Sequence, residues 1–91
     1  MQNKTKDKLR RIMNKYDPIG IYVSDKTNID EYDPEIKEIV MKFRGVKDKS
    51  EFLNDVHSVF IEMFDKKIAG PKNRYKDLAE DLYLLLRDKN K

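Results

Sequence analysis

Apolar residues recur along this chain at helical spacing in four stretches, and the pattern lapses between the first two. Leu9, Ile12, Met13 and Tyr16 stand at i, i+3, i+4 and i+7, one stripe of a helix predicted over about residues 5–16. Thr5 is the expected N-cap. Asp17-Pro18 stops the helix, because a residue before proline is driven out of the α region. Ile36, Ile39, Val40 and Phe43 predict a second helix over 33–44, with Asp33 as N-cap, Pro34 at N1, Glu35 suited to the positive end of the dipole, and Gly45 as the stop. Phe52, Leu53, Val56, Val59, Phe60, Met63 and Phe64 form the widest apolar face, on a third helix over 49–66. Asp48 and Glu51 have capping-box-like spacing at its start. Ile68-Ala69-Gly70-Pro71 breaks the pattern. Tyr75, Leu78, Ala79, Leu82, Leu85 and Leu86 then mark a fourth helix over 73–87.

Residues 18–32 fit neither period for long. Ile19, Ile21 and Val23 alternate, but no second strand candidate exists to pair with them. The segment reads as an ordered loop pinned by its apolar residues, and a connection of this length without secondary structure is often functional. The expected fold is therefore all-α: a compact antiparallel four-helix bundle, a single helical domain over 1–91, with an ordered loop between the first two helices.

Composition narrows the chemistry. The 91 residues contain no cysteine, which excludes disulfides, thiolate zinc sites and cysteine nucleophiles together and suits a reducing cytoplasm. The polar N-terminus has no apolar signal region, and no apolar run is long enough to span a bilayer. The expected location is cytoplasmic, with no membrane partner. The lone histidine, His57, flanks the third apolar face and reads as a packed, hydrogen-bonded residue. A calcium loop starting at Asp25 would need glycine sixth and glutamate twelfth, where Asp30 and Ile36 stand. The glycines are isolated, so no phosphate loop is present, and no serine lies in a nucleophile-elbow context. The sequence thus predicts no catalytic residue, no cofactor and no metal: a protein that is not an enzyme.

Charge is dense and nearly balanced, at 20 basic and 17 acidic residues, but it is unevenly placed. Residues 1–17 hold six basic and two acidic side chains; residues 18–45 hold four basic and six acidic. The basic set, Lys4, Lys6, Lys8, Arg10, Arg11 and Lys15, spreads around much of the first helix outside its apolar stripe, which argues against nucleic acid as the partner. The acidic set is mixed with tyrosine: Asp17, Tyr22, Asp25, Asp30, Glu31, Tyr32, Asp33 and Glu35. Tyrosine is enriched at interface hot spots, and carboxylates beside it would steer a basic protein partner. These eight are the candidate partner-binding residues, although capping accounts for Asp33, the helix dipole for Glu35 and the turn for Asp17.

Two segments carry a resemblance: Asn14-Lys15-Tyr16-Asp17-Pro18-Ile19-Gly20, and Glu31-Tyr32-Asp33-Pro34-Glu35-Ile36. With Val59-Phe60, Met63-Phe64 and Leu78-Ala79 further along, the chain resembles the small, uncharacterised YugE-like helical domains of Firmicutes. The resemblance implies an all-helical bacterial protein and no established activity, and the loop at 21–33 is longer and more acidic than it leads one to expect. By size and composition the chain is also similar to bacterial toxin-immunity proteins. The expected function is a non-catalytic protein-binding module, an immunity protein that neutralises a cognate toxin domain in a toxin–antitoxin pair. The alternative is a small nucleic-acid-associated regulator that uses the basic first helix.

Overall fold

A computed structural model describes residues 3–21, 30–44 and 48–89. Five α-helices run through them: α1 (Asn3–Tyr16), α2 (Asp33–Phe43), α3 (Lys49–Phe64), the single turn α4 (Lys66–Ala69) and α5 (Lys76–Lys89), the last entered through a 3₁₀ turn at Lys72–Tyr75. No strand occurs among the described residues. The Cα radius of gyration is 12.3 Å, close to the roughly 12 Å of a compact chain this long.

One core takes residues from every element. Leu9 and Met13 of α1 meet Ile36 and Ile39 of α2, Phe52, Val56, Val59 and Phe60 of α3, Ala69 of α4, and Leu78, Leu82 and Leu86 of α5. Each of the Leu, Ile, Val, Met and Phe side chains among them, once fully buried, contributes about 1.5–3 kcal/mol relative to exposure. α3 packs against α2, α4 and α5, and α1 against α5 and α2. The widest apolar stripe in the sequence is thus the one that touches most of the others. No helix among the described residues is long and apolar enough to cross a membrane.

The predicted helices are present, and their ends differ in instructive ways. α1 starts at Asn3, so Thr5 is no cap; it lies buried inside the helix. The N-cap of α2 is Tyr32 rather than Asp33, and no side chain caps it. Asp33 is the first helical residue, and its carboxylate has turned to Arg10 instead. Gly45 lies outside the described residues. At α3 the cap is as expected: Asp48 is extended, and its Oδ1 accepts the Glu51 N–H at 2.8 Å.

α3 ends at Phe64, earlier than predicted, because Asp65 takes φ 129°. Asp65 then caps α4, its Oδ1 accepting from Ile68 N at 2.7 Å. The kink leaves Met63, expected in the core, 43% exposed. Gly70, at φ 77°, supplies the left-handed turn that ends α4. Arg74 ties this corner down by donating from Nη1 to the carbonyl oxygens of Pro18, Ile68 and Ala69. His57 closes it from the other side. Its Nε2–H donates to the Gly70 carbonyl at 2.8 Å, and its ring lies 5.5 Å from that of Tyr75.

Candidate functional site

The two ends of the acidic loop are joined by a single side-chain knot. Asp17 closes α1 by donating its N–H to Met13 O at 2.8 Å, with φ 43°. That is the left-handed region, where aspartate is among the few non-glycine residues at ease. The chain reverses there, and Gly20 N–H returns to Asp17 O. The Asp17 carboxylate faces back over this turn. Its Oδ1 accepts from Ile21 N at 2.9 Å and from the Tyr32 hydroxyl at 2.5 Å. The same hydroxyl accepts from Ile19 N at 3.2 Å. Burial, and then the hydrogen bond to Asp17, hold the Tyr32 phenol far above its ordinary pKa.

A second tie fixes the start of α2. Arg10 grips Asp33 bidentately, Nε to Oδ1 at 2.9 Å and Nη2 to Oδ2 at 2.6 Å, and Lys6 stands 3.6 Å from Oδ2. Two parallel charge-assisted bonds are geometrically specific as well as strong. The hydrogen bonds from Arg10 hold the Asp33 carboxyl below the usual aspartate range against the opposing effect of burial. Beside this pair the seam between α1 and α2 opens into a groove of about 390 Å³, lined by Lys6, Asp33, Pro34, Ile36 and Lys37.

The eight candidate residues therefore separate. Tyr22 and Asp25 lie outside the described residues. Tyr32, expected to offer its ring to a partner, is buried at 1% exposure and packs edge-on against Phe60. Asp17 is spent on the knot, and Asp33 on Arg10. Glu35, expected at a surface near the helix dipole, is buried at 4% exposure. Among the six described, only Asp30 and Glu31 are exposed, in the turn where Asp33 N–H donates to Asp30 O. Sequence reasoning missed Lys6 and Arg10 as the partners of Asp33. A charge pairing across 23 residues leaves no local pattern to find.

Glu35 is the electrostatic anomaly. Its Oε2 finds no hydrogen-bond donor among the described residues. Desolvation raises its pKa, and the charges of Glu31 and Asp33 push the same way. The folded state thus holds the Glu35 proton more tightly than the unfolded chain does. The stability that this proton confers is complete below the ordinary glutamate pKa of 4.5 and is lost as pH rises through the folded value. Asp33 runs oppositely: its contribution is present above the ordinary aspartate range and disappears as pH falls. Glu35→Gln removes only the first effect. It should stabilise the protein at pH 7, where the buried carboxyl is held against its raised pKa, and have little effect at pH 4. Urea midpoints of both proteins at the two pH values check this; a difference independent of pH would refute it.

On the opposite flank, the Tyr16 hydroxyl donates to Asp81 Oδ2 at 2.7 Å, and that bond is the main reason its pKa is pushed up to about 12. Among the described residues, no three His, Cys, Asp or Glu side chains come together as metal ligands. No family model matches the chain, and no curated protein or solved structure does so either.

Proposed function

We propose that this protein is a non-catalytic binding module for a basic protein partner. The observation that carries the reading is the exposed pair Asp30 and Glu31, set immediately before Tyr32 and Asp33, whose side chains are tied to Asp17 and Arg10. Carboxylates on a preorganised edge steer an approaching basic surface and fix its register at little ordering cost. The adjoining groove between α1 and α2 offers room for a partner side chain.

In its specific form the reading is an immunity protein acting in a bacterial cytoplasm, where it covers the working face of a cognate toxin. A toxin that acts on nucleic acid is basic at that face, and an acidic blocker complements it. The scaffold we envisage is the antiparallel four-helix bundle predicted from the sequence, with α1, α2, α3 and α5 as its long members. The resemblance to the YugE-like domains supports the helical scaffold and is silent on the partner.

The test is comparative affinity capture from the source cells with wild-type protein and the double variant Asp30→Lys, Glu31→Lys. One basic protein should be recovered by the wild type and lost by the variant. With that protein purified, the association rate should fall roughly tenfold or more in the variant, with thermal stability unchanged. Recovery of the same proteins by both baits would defeat the reading.

A further inference from the structure

The ion pairs that anchor α2 also sort the cations of α1. Lys6 and Arg10 turn to Asp33. The remaining four, Lys4, Lys8, Arg11 and Lys15, are exposed. They fall at i, i+4, i+7 and i+11. At about 100° per residue they occupy an arc of roughly 60°, and at 1.5 Å per residue a line of about 16 Å. The basic residues thus form a straight ridge on the flank of α1 away from Lys6 and Arg10, not a diffuse halo. None of the ion pairs among the described residues involves the four. Asp7 borders the ridge on the side toward Arg10, whose charge it neighbours. At the far end Lys15 Nζ sits 5.2 Å over the Tyr16 ring, and the Tyr16 hydroxyl is held by Asp81.

We propose that this ridge docks on the phosphate backbone of double-helical nucleic acid, without reading its sequence. The proposal goes beyond the acidic-edge reading and does not depend on it, since the two surfaces share no residue. Phosphate contacts need cations in register on a rigid support, and a packed helix supplies both. A lipid surface fits less well. An interfacial helix must insert an apolar face, whereas Leu9 and Met13 of α1 are buried in the core. An acidic protein fits less well too, because the ridge offers none of the apolar or aromatic anchors that carry such interfaces.

Counterion release makes the claim quantitative. Four phosphate contacts predict a slope of log K against log salt of about −3.6, and a roughly hundredfold loss of affinity between 50 and 200 mM salt. The probes are a fluorescent DNA duplex, an RNA duplex of the same length, and phosphatidylserine vesicles, titrated by anisotropy or co-sedimentation. Two fourfold variants of equal net charge are compared: Lys4→Gln, Lys8→Gln, Arg11→Gln, Lys15→Gln on the ridge, and Lys37→Gln, Lys66→Gln, Lys67→Gln, Lys76→Gln elsewhere. Duplex binding should vanish in the first and persist in the second. The single variant Arg11→Gln, which spares the fold if the fourfold one does not, should lower the magnitude of the slope by about 0.9. Equal weakening by both fourfold variants, binding to vesicles but to neither duplex, or no duplex binding at 50 mM salt would each overturn the proposal. Loss of the basic partner on Asp30→Lys, Glu31→Lys bears on the acidic edge alone.

Discussion

Tyr32→Ala should destabilise the protein by about 3–5 kcal/mol, the range for deleting a buried aromatic ring, whereas Tyr32→Phe should cost about 2 kcal/mol. The alanine variant loses the edge contact with Phe60 at 6.1 Å and opens a cavity beneath the turn that leads into α2. The phenylalanine variant keeps the ring and removes only the hydroxyl. That hydroxyl is bonded twice, donating to a carboxylate and accepting from Ile19 N–H, and a hydrogen bond to a charged group contributes about 1.5–3 kcal/mol. The partner residue gives the control. Asp17→Asn keeps a side chain tolerant of the left-handed backbone and able to accept from Ile21 N–H, so it should cost less than Asp17→Ala. Combining Tyr32→Phe with Asp17→Ala should cost clearly less than the sum of the two, because both break one bond. Thermal and urea unfolding followed by circular dichroism supply the numbers, with about 4–8 °C in Tm per kcal/mol for a domain of this size. Strict additivity would show that the knot contributes nothing as a pair.

The same knot marks what the sequence could and could not reveal. The four long helices were legible because Leu9–Met13, Ile36–Ile39, Phe52–Val56–Phe60 and Leu78–Leu82 follow the helical period, and that period persists whatever they pack against. The cap at Asp48 was legible because its bond spans only three residues. α4 was not, since it depends on Asp65 taking φ 129°, far outside the left-handed α region that aspartate tolerates at Asp17. The candidate residues were legible as helix-end positions more than in the contacts they make. Asp17 and Asp33 both stand at helix ends, where local rules assign them to a turn and a cap. Their carboxylates are instead taken by Tyr32 and Arg10, residues distant in sequence. Glu35 illustrates the same limit, because its position near a helix start hides its burial. The cationic ridge lay in the spacing of Lys4, Lys8, Arg11 and Lys15 all along. It stands out only once Lys6 and Arg10 are known to face elsewhere.

Phe60→Ala is the substitution expected to be most damaging, because Phe60 joins the candidate site to the rest of the core. Its ring is fully buried and meets three others: Tyr32 at 6.1 Å, Tyr75 at 4.9 Å and Phe64 at 6.0 Å between centroids. Deleting it forfeits the buried area, leaves a cavity that rigid helices fill only in part, and strips each neighbour of an aromatic contact worth about 0.5–1.5 kcal/mol. The expected loss is at the top of the 3–5 kcal/mol range for such deletions. A chain this size has a total stability of only about 5–14 kcal/mol. A fall in Tm of roughly 20–40 °C follows. Phe64→Ala, which deletes the half-buried outer ring of the stack, should cost about half as much. Tyr32 rests on Phe60, so the damage should spread to the turn before α2. Amide exchange at Asp33 and Ile36, whose N–H groups donate to Asp30 O and Tyr32 O, should speed up in Phe60→Ala under conditions where the protein remains folded. If those amides keep their wild-type protection while Tm falls, the acidic edge is held by Asp17 and Arg10 alone, and the core beneath it plays no part in fixing its shape.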